Sequence, residues 1–188
     1  CGFKWTPRLR SVEVYLNNEY QGVYTLCEHK KVSSDRVDIY VAEETDAPEA
    51  GGYYLEIEEN QDETTCWWTG MGVPMMFSEP EVPTPDQLEY VKKLFEDFET
   101  SLYSDDLADP VKGYAGYIDV DSFINYYIIQ ELTKNIDGNL RKSSFITKEA
   151  GGKMEMYHVW DFDLTLGNCG YFDGSVGNGP EGFWIKDF

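Results

Sequence analysis

Hydrophobic and polar positions alternate twice near the start of the chain. In VEVYLNNEYQGVYTLCE (residues 12–28), Val12, Val14 and Leu16, then Val23, Thr25 and Cys27, recur at every second position on either side of the turn-rich NNEYQG. A period of two belongs to a strand, so the segment predicts a β-hairpin with Cys27 as a buried thiol. A further strand is predicted at Val37–Val41, a polar loop at 44–52, and another strand at Tyr53–Glu58 (YYLEIE). Residues 59–83, with Trp67 and Trp68 beside Gly70 and Gly72, keep no period and read as irregular. The two Trp fit either core packing or a binding face.

The spacing then changes to three and four. Thr84 reads as an N-cap with Pro85 in the first turn, and Leu88, Val91, Phe95, Phe98 and Leu102 form one helical face. A second helix starts near Asp119 or Asp121 and runs to about Lys134. Its centre, FINYYIIQEL, is apolar on nearly every side and predicts a buried helix. Strands at Ser144–Lys148 and Met154–Trp160 flank the turn EAGG as a second hairpin, followed by WDFDLTLGN (160–168) and a Gly-rich loop to Gly182. No internal repeat is present. The order predicts an α+β fold with mostly antiparallel strands and a buried helix. It reads as one domain over 1–188, with a strand-rich half at 1–83 and a helical half at 84–188 that carries the acidic motifs.

Composition narrows the function. With 41% hydrophobic and 15% aromatic residues in 188, the chain can bury a core and is not disordered as a whole. The 35 acids against 15 bases give a net charge of −20, which argues against nucleic acid as a partner. No run of 18 apolar residues offers a transmembrane segment. Residues 1–42, 43–106 and 107–188 carry +1, −16 and −5, so the acidity belongs to the middle, which reads as solvated loops and an exposed helix face lying outside the segments proposed for chemistry. Cys1, Cys27, Cys66 and Cys169, with only His29 and His158, make no zinc pattern. An opening Cys fits a lipid-modified bacterial N-terminus, though no signal segment supports it, or a fragment of a longer chain. The apolar GFWIKDF at the far end favours the fragment, with further domains beyond it.

Two acidic positions bracket the second hairpin. Asp137 follows the second helix in a loop with Gly138, while Asp161 and Asp163 follow the strand ending at Trp160. A hairpin returns the chain to its start, so the two sites should lie together. A turn Asp often only bonds its own backbone. Three carboxylates in this order point instead to a functional cluster, in which one could orient an attacking hydroxyl while another held Mg²⁺ against phosphate oxygens. A polyphosphate meeting three carboxylates would need such a cation. A competing motif uses the same residues: DFDLT at 161–165 fits the D-x-D-x-T of haloacid dehalogenase-type phosphatases, with Asp161 as nucleophile. That fold needs a parallel sheet and further downstream motifs, and only 23 residues follow Thr165.

Four segments together resemble the CotH kinase family, named for spore coat protein H: VEVYLNNEYQGVYTLCEHKKV, GGYYLEIE, DSFINYYIIQELTKNIDGNLRKSSFIT and VWDFDLTLGN. The resemblance covers most of residues 10–168. It implies a divergent protein-kinase-like fold, secretion or display on a bacterial or spore surface, and ATP- and Mg²⁺-dependent phosphorylation of Ser or Thr on a protein substrate. By the same resemblance Asp137 is the catalytic-loop acid and Asp161 the metal ligand, supported by Asp163 and, as the nearest Asn, Asn139. Lys142 would neutralise charge on the γ-phosphate, and Lys30 or Lys142 would hold the nucleotide, with Lys31 a further candidate. The chain departs from the pattern at Arg141-Lys142-Ser143-Ser144, where kinase-like loops carry an Asn, and it shows no evident phosphate-holding Lys on an early strand. These departures leave a non-catalytic surface or coat module as the alternative, with the phosphatase third.

Overall fold

The computed structural model describes residues 2–60, 65–169 and 180–186. Strands β1 (Leu9–Leu16) and β2 (Glu19–Cys27) pair antiparallel through a two-residue turn in which Asn17 and Asn18 are both left-handed (φ 51° and 68°). Asn tolerates that conformation, which matches the twist of the flanking strands. The hairpin forms its own two-stranded sheet, and most of its side chains are exposed, including Leu9, Leu16, Val23 and Leu26. Cys27 is therefore an exposed thiol, not a buried one. The alternation marked the strand correctly, but among the described residues no layer covers either face.

Among the described residues the main sheet has five strands in the order β4-β5-β3-β6-β7, every neighbouring pair antiparallel. They are β3 (Tyr53–Ile57), β4 (Cys66–Trp68), β5 (Pro74–Glu79), β6 (Ser144–Lys148) and β7 (Met154–His158). Strands β4 and β5 occupy the stretch read as irregular. Met75, Met76 and Phe77 are apolar in succession because both faces of the sheet are covered, and a strand buried on both sides loses its alternation. Val37–Val41 is not a strand. It makes isolated bridges, Val32 with Val37 and Val41 with Gly52, and lays Val37 and Ile39 across the sheet against Tyr54, Phe145 and Tyr157.

Helix α1 (Pro85–Ser101) starts as predicted. Thr84 accepts from the Gln87 amide, and the Gln87 side chain accepts from the Thr84 amide, satisfying two otherwise unpaired donors. Helix α2 (Val120–Thr133) is capped by Asp119, which accepts from the Ser122 amide at 2.8 Å. Both helices pack on one side of the sheet, where Val91, Phe95 and Tyr126 meet Tyr53, Leu55, Ile57, Met75 and Met156. Helix α2 is not the buried helix its composition suggested: Tyr126 and Gln130 face the core, but Ile128 is 53% exposed and Leu132 72% exposed. An apolar helix is buried only as far as neighbours reach it. Trp67 joins the core while Trp68 faces solvent. The expected Gly-rich loop falls largely on residues 170–179, outside the described residues. No helix among the described residues is long and apolar enough to cross a membrane.

Candidate active site at one end of the sheet

Strand register brings three chain segments to one end of the sheet. Ile57, the last residue of β3, pairs with Ser144, the first of β6, and Phe145 pairs with His158, the last of β7. The chain therefore leaves β3 into Glu58-Glu59, enters β6 from the loop after α2, and leaves β7 toward Asp161, all at the same edge. The loop after α2 begins where Lys134, left-handed at φ 52°, ends the helix. Gly138 follows directly on Asp137, and a Cβ there would lie 2.2 Å from the buried Gln130 amide, so a larger residue at this turn would push that side chain aside. The 161–168 segment is braced from within and by the end of α2. Thr165 donates to the Phe162 carbonyl at 2.7 Å, Asn168 donates to the Asp163 carbonyl at 2.7 Å, and the Leu166 amide donates to the Thr133 carbonyl at 2.7 Å.

Asp137, Asp161 and Asp163 meet there and act on one another. Burial raises the Asp137 carboxyl above its usual range. Lys142 opposes that rise, while Asp163, Glu58 and Glu59 add to it. The Asp161 carboxyl is also raised, first by burial and further by Asp163 and Asp137, against the Ser143 hydroxyl, which donates to its Oδ2 at 3.0 Å. The nearby cations are engaged: Lys142 meets Glu59 at 3.1 Å, and Arg141 donates to the same carboxylate. That bond chiefly holds Lys142 above, and Glu59 below, their usual values. Asp137, Asp161, Asp163, Glu58 and Glu59 thus face two bases, which leaves a local excess of negative charge.

Backbone strain collects at the same place. Among the described residues seven non-glycine positions have positive φ; two are the hairpin Asn17 and Asn18, and the other five are Lys134, Leu140, Ser143, Asp161 and Leu166. Each costs about 1–2 kcal/mol for a residue with a side chain, and such conformations persist where surrounding structure imposes them, often at functional sites.

One face of the sheet leads to this edge. Glu56 on β3 is buried and accepts from Lys30, whose Nζ is 2.8 Å from each carboxylate oxygen and 4.0 Å from the centre of the Phe145 ring, and from the Ser78 hydroxyl at 3.3 Å. Phe145 stacks on His158 at 4.7 Å. His158 Nδ1 lies 3.1 Å from the Val159 carbonyl, which can only accept, so Nδ1 carries the proton and Nε2 accepts from the Tyr54 hydroxyl at 2.6 Å. Burial lowers the imidazole to about 4, consistent with this neutral form. Beside Lys30 opens a cleft of about 490 Å³ lined by His29, Lys31, Tyr54, Met76 and Ser78 among others.

The predicted residues fall into two groups. Asp137, Asp161, Asp163 and Lys142 share the edge site, with Asn139 in the same turn as Asp137; among the described residues Asn139 makes no hydrogen bond to the three carboxylates. Lys30 lies instead on the sheet face, tied to Glu56. The edge site also corrects the expectation that the acidic middle stays away from the chemistry, because Glu58 and Glu59 of that middle belong to it. Glu56, Ser143 and His158 are additions. Glu56 was legible as an acid inside an otherwise apolar buried strand, whereas nothing in its local spacing marks Ser143.

The all-antiparallel sheet removes the phosphatase reading of DFDLT, and Thr165 has a structural role as a brace. Oxygen donors of carboxylate type suit Mg²⁺. Among the described residues no three acidic, His or Cys side chains close into a metal cage by themselves. Mg²⁺ is commonly held by one or two carboxylates together with substrate phosphates, a donor set that Asp161 and Asp163 fit. No curated protein matches the chain. A family model described as CotH kinase protein matches residues 4–186. The chain thus belongs to the CotH kinase family.

Proposed function

We propose that the chain is a Mg²⁺- and ATP-dependent phosphotransferase acting on Ser or Thr of a secreted or surface protein. The observation that carries this reading is the convergence of Asp137 with Asp161 and Asp163 from the two ends of one hairpin, with more negative charge than the neighbouring bases neutralise. Asp161 and Asp163 would hold Mg²⁺, with Asn139, in the turn that carries Asp137, as a further oxygen donor. Bound there, the ion supplies charge neutralisation on the phosphate oxygens. Asp137 accepts the proton of the acceptor hydroxyl as that oxygen bonds to the γ-phosphorus and ADP leaves. A carboxyl held above its usual range is a better base for that proton than an ordinary surface Asp. Lys142 faces developing negative charge once Glu59 shares it. Lys30, paired with Glu56 beside the cleft, would bind nucleotide phosphate, and the Lys–Glu pair that active protein kinases require supports that reading.

One observation favours the non-catalytic alternative: Lys30 and Lys142 are each already paired with a glutamate. Transfer of labelled phosphate from ATP to a protein acceptor separates the readings. The wild type should transfer in Mg²⁺, and Asp137→Ala and Asp161→Ala should each lose about 10²-fold or more, in keeping with general-base and electrostatic contributions. Equal labelling by all three proteins would remove the assignment.

A further inference from the structure

We infer that Ser143 is a positioning residue of the cation site, holding Asp161 through its hydroxyl. The inference rests on the phosphotransfer reading, because it takes Asp161 as a Mg²⁺ ligand. Ser143 Oγ donates to Asp161 Oδ2 at 3.0 Å, and among the described residues it is the one hydroxyl bonded to that carboxylate. Both partners are left-handed, Ser143 at φ 50° and Asp161 at φ 60°, and neither is glycine. Serine seldom adopts that conformation for its own sake, so the turn at Ser143 is held by what surrounds it.

The support comes from helix α2. Ser144, fully buried, donates its single hydroxyl proton to the Lys142 carbonyl at 3.0 Å, which leaves the Tyr126 hydroxyl as the donor in the Tyr126–Ser144 bond. A core tyrosine thus fixes Ser144, Ser144 fixes the turn at Lys142, and the turn presents Ser143 to Asp161. The consequence for the cation is geometric. Asp163 lies against Asp161, and two free carboxylates would turn away from each other. Occupying Oδ2 with a donated hydrogen bond holds Asp161 in place and leaves Oδ1 for the ion. Outer partners of this kind orient ligating carboxylates, and their loss typically costs about 10–100-fold in metal affinity.

A serine that merely closed the turn would behave differently, and two substitutions separate the roles. Ser143→Gly accepts the left-handed backbone without strain and removes the hydroxyl, while Ser143→Asn tolerates the same backbone and restores a donor. Mn²⁺ affinity in the presence of ATP, read by electron paramagnetic resonance, should fall about 10–100-fold in Ser143→Gly and stay within about threefold of wild type in Ser143→Asn. The melting temperature of the Gly variant should be unchanged or higher. Wild-type affinity in a folded Ser143→Gly, or a tenfold loss in a folded Ser143→Asn, overturns the positioning role alone. A wild type that binds no Mn²⁺, or an Asp161→Asn variant that binds it fully, overturns the phosphotransfer reading and this inference with it.

Discussion

Leu55 and Glu56 are consecutive residues of β3, both buried, and they point to opposite sides of the sheet. Leu55 packs with Tyr53, Ile57, Met75 and Met156 beneath the two helices. Glu56 is on the other face, joined to Lys30, with Phe145 and His158 beyond it. The first face contains apolar groups whose burial favours folding directly. The second buries a carboxylate and an imidazole and half-buries an ammonium, each of which costs free energy unless paired. Equal burial therefore carries opposite meanings on the two faces: one stabilises the sheet, and the other uses that rigidity to hold polar groups near the acidic edge.

The comparison can be broken from either side. The largest effect is expected on the helix face, where Leu55→Ala should lower unfolding free energy by about 3–5 kcal/mol in a denaturant titration, since a fully buried leucine leaves a cavity. A loss below 1 kcal/mol would mean that this face is not the structural one. The polar face should show itself through pH. His158 is neutral when folded, its value lowered to about 4 from 6.5 by burial. The unfolded chain binds that proton first, so this contribution is complete above pH 6.5 and is lost as pH falls toward 4. The loss is roughly 3 kcal/mol across that window, following the linkage between protonation and folding. Denaturation midpoints measured between pH 7 and 4 check this, and in His158→Gln the decline across the window should be shallower. An unchanged slope would place the acid sensitivity elsewhere.

The same contrast explains what could be read from the sequence. Elements whose local chemistry decides their form were legible: the hairpin around NNEYQG, the Thr84 cap, the start of α2 near Asp119 or Asp121, and the second hairpin that brings Asp137 to Asp161. Elements decided by what lies above them were not. Strand β5 lost its alternation because both faces are covered, Val37–Val41 makes only isolated bridges because it crosses the sheet face, and α2 looked buried all round although its far side is open. The site followed the same rule. The three aspartates stand beside recognisable helix and strand ends, whereas Glu59 and Ser143 reach the site through register, and Ser143 through a backbone conformation that its residue type does not announce.

Calorimetric titration with ATP, with and without Mg²⁺, on wild type and Asp161→Asn decides whether the acidic edge is a cation-dependent nucleotide site. The account predicts binding by the wild type in Mg²⁺ that is weaker by about 10-fold or more when the metal is chelated, and a similar loss in Asp161→Asn even with Mg²⁺ present. ATP binding of equal strength with and without metal in both proteins, or no binding by the wild type, would contradict it.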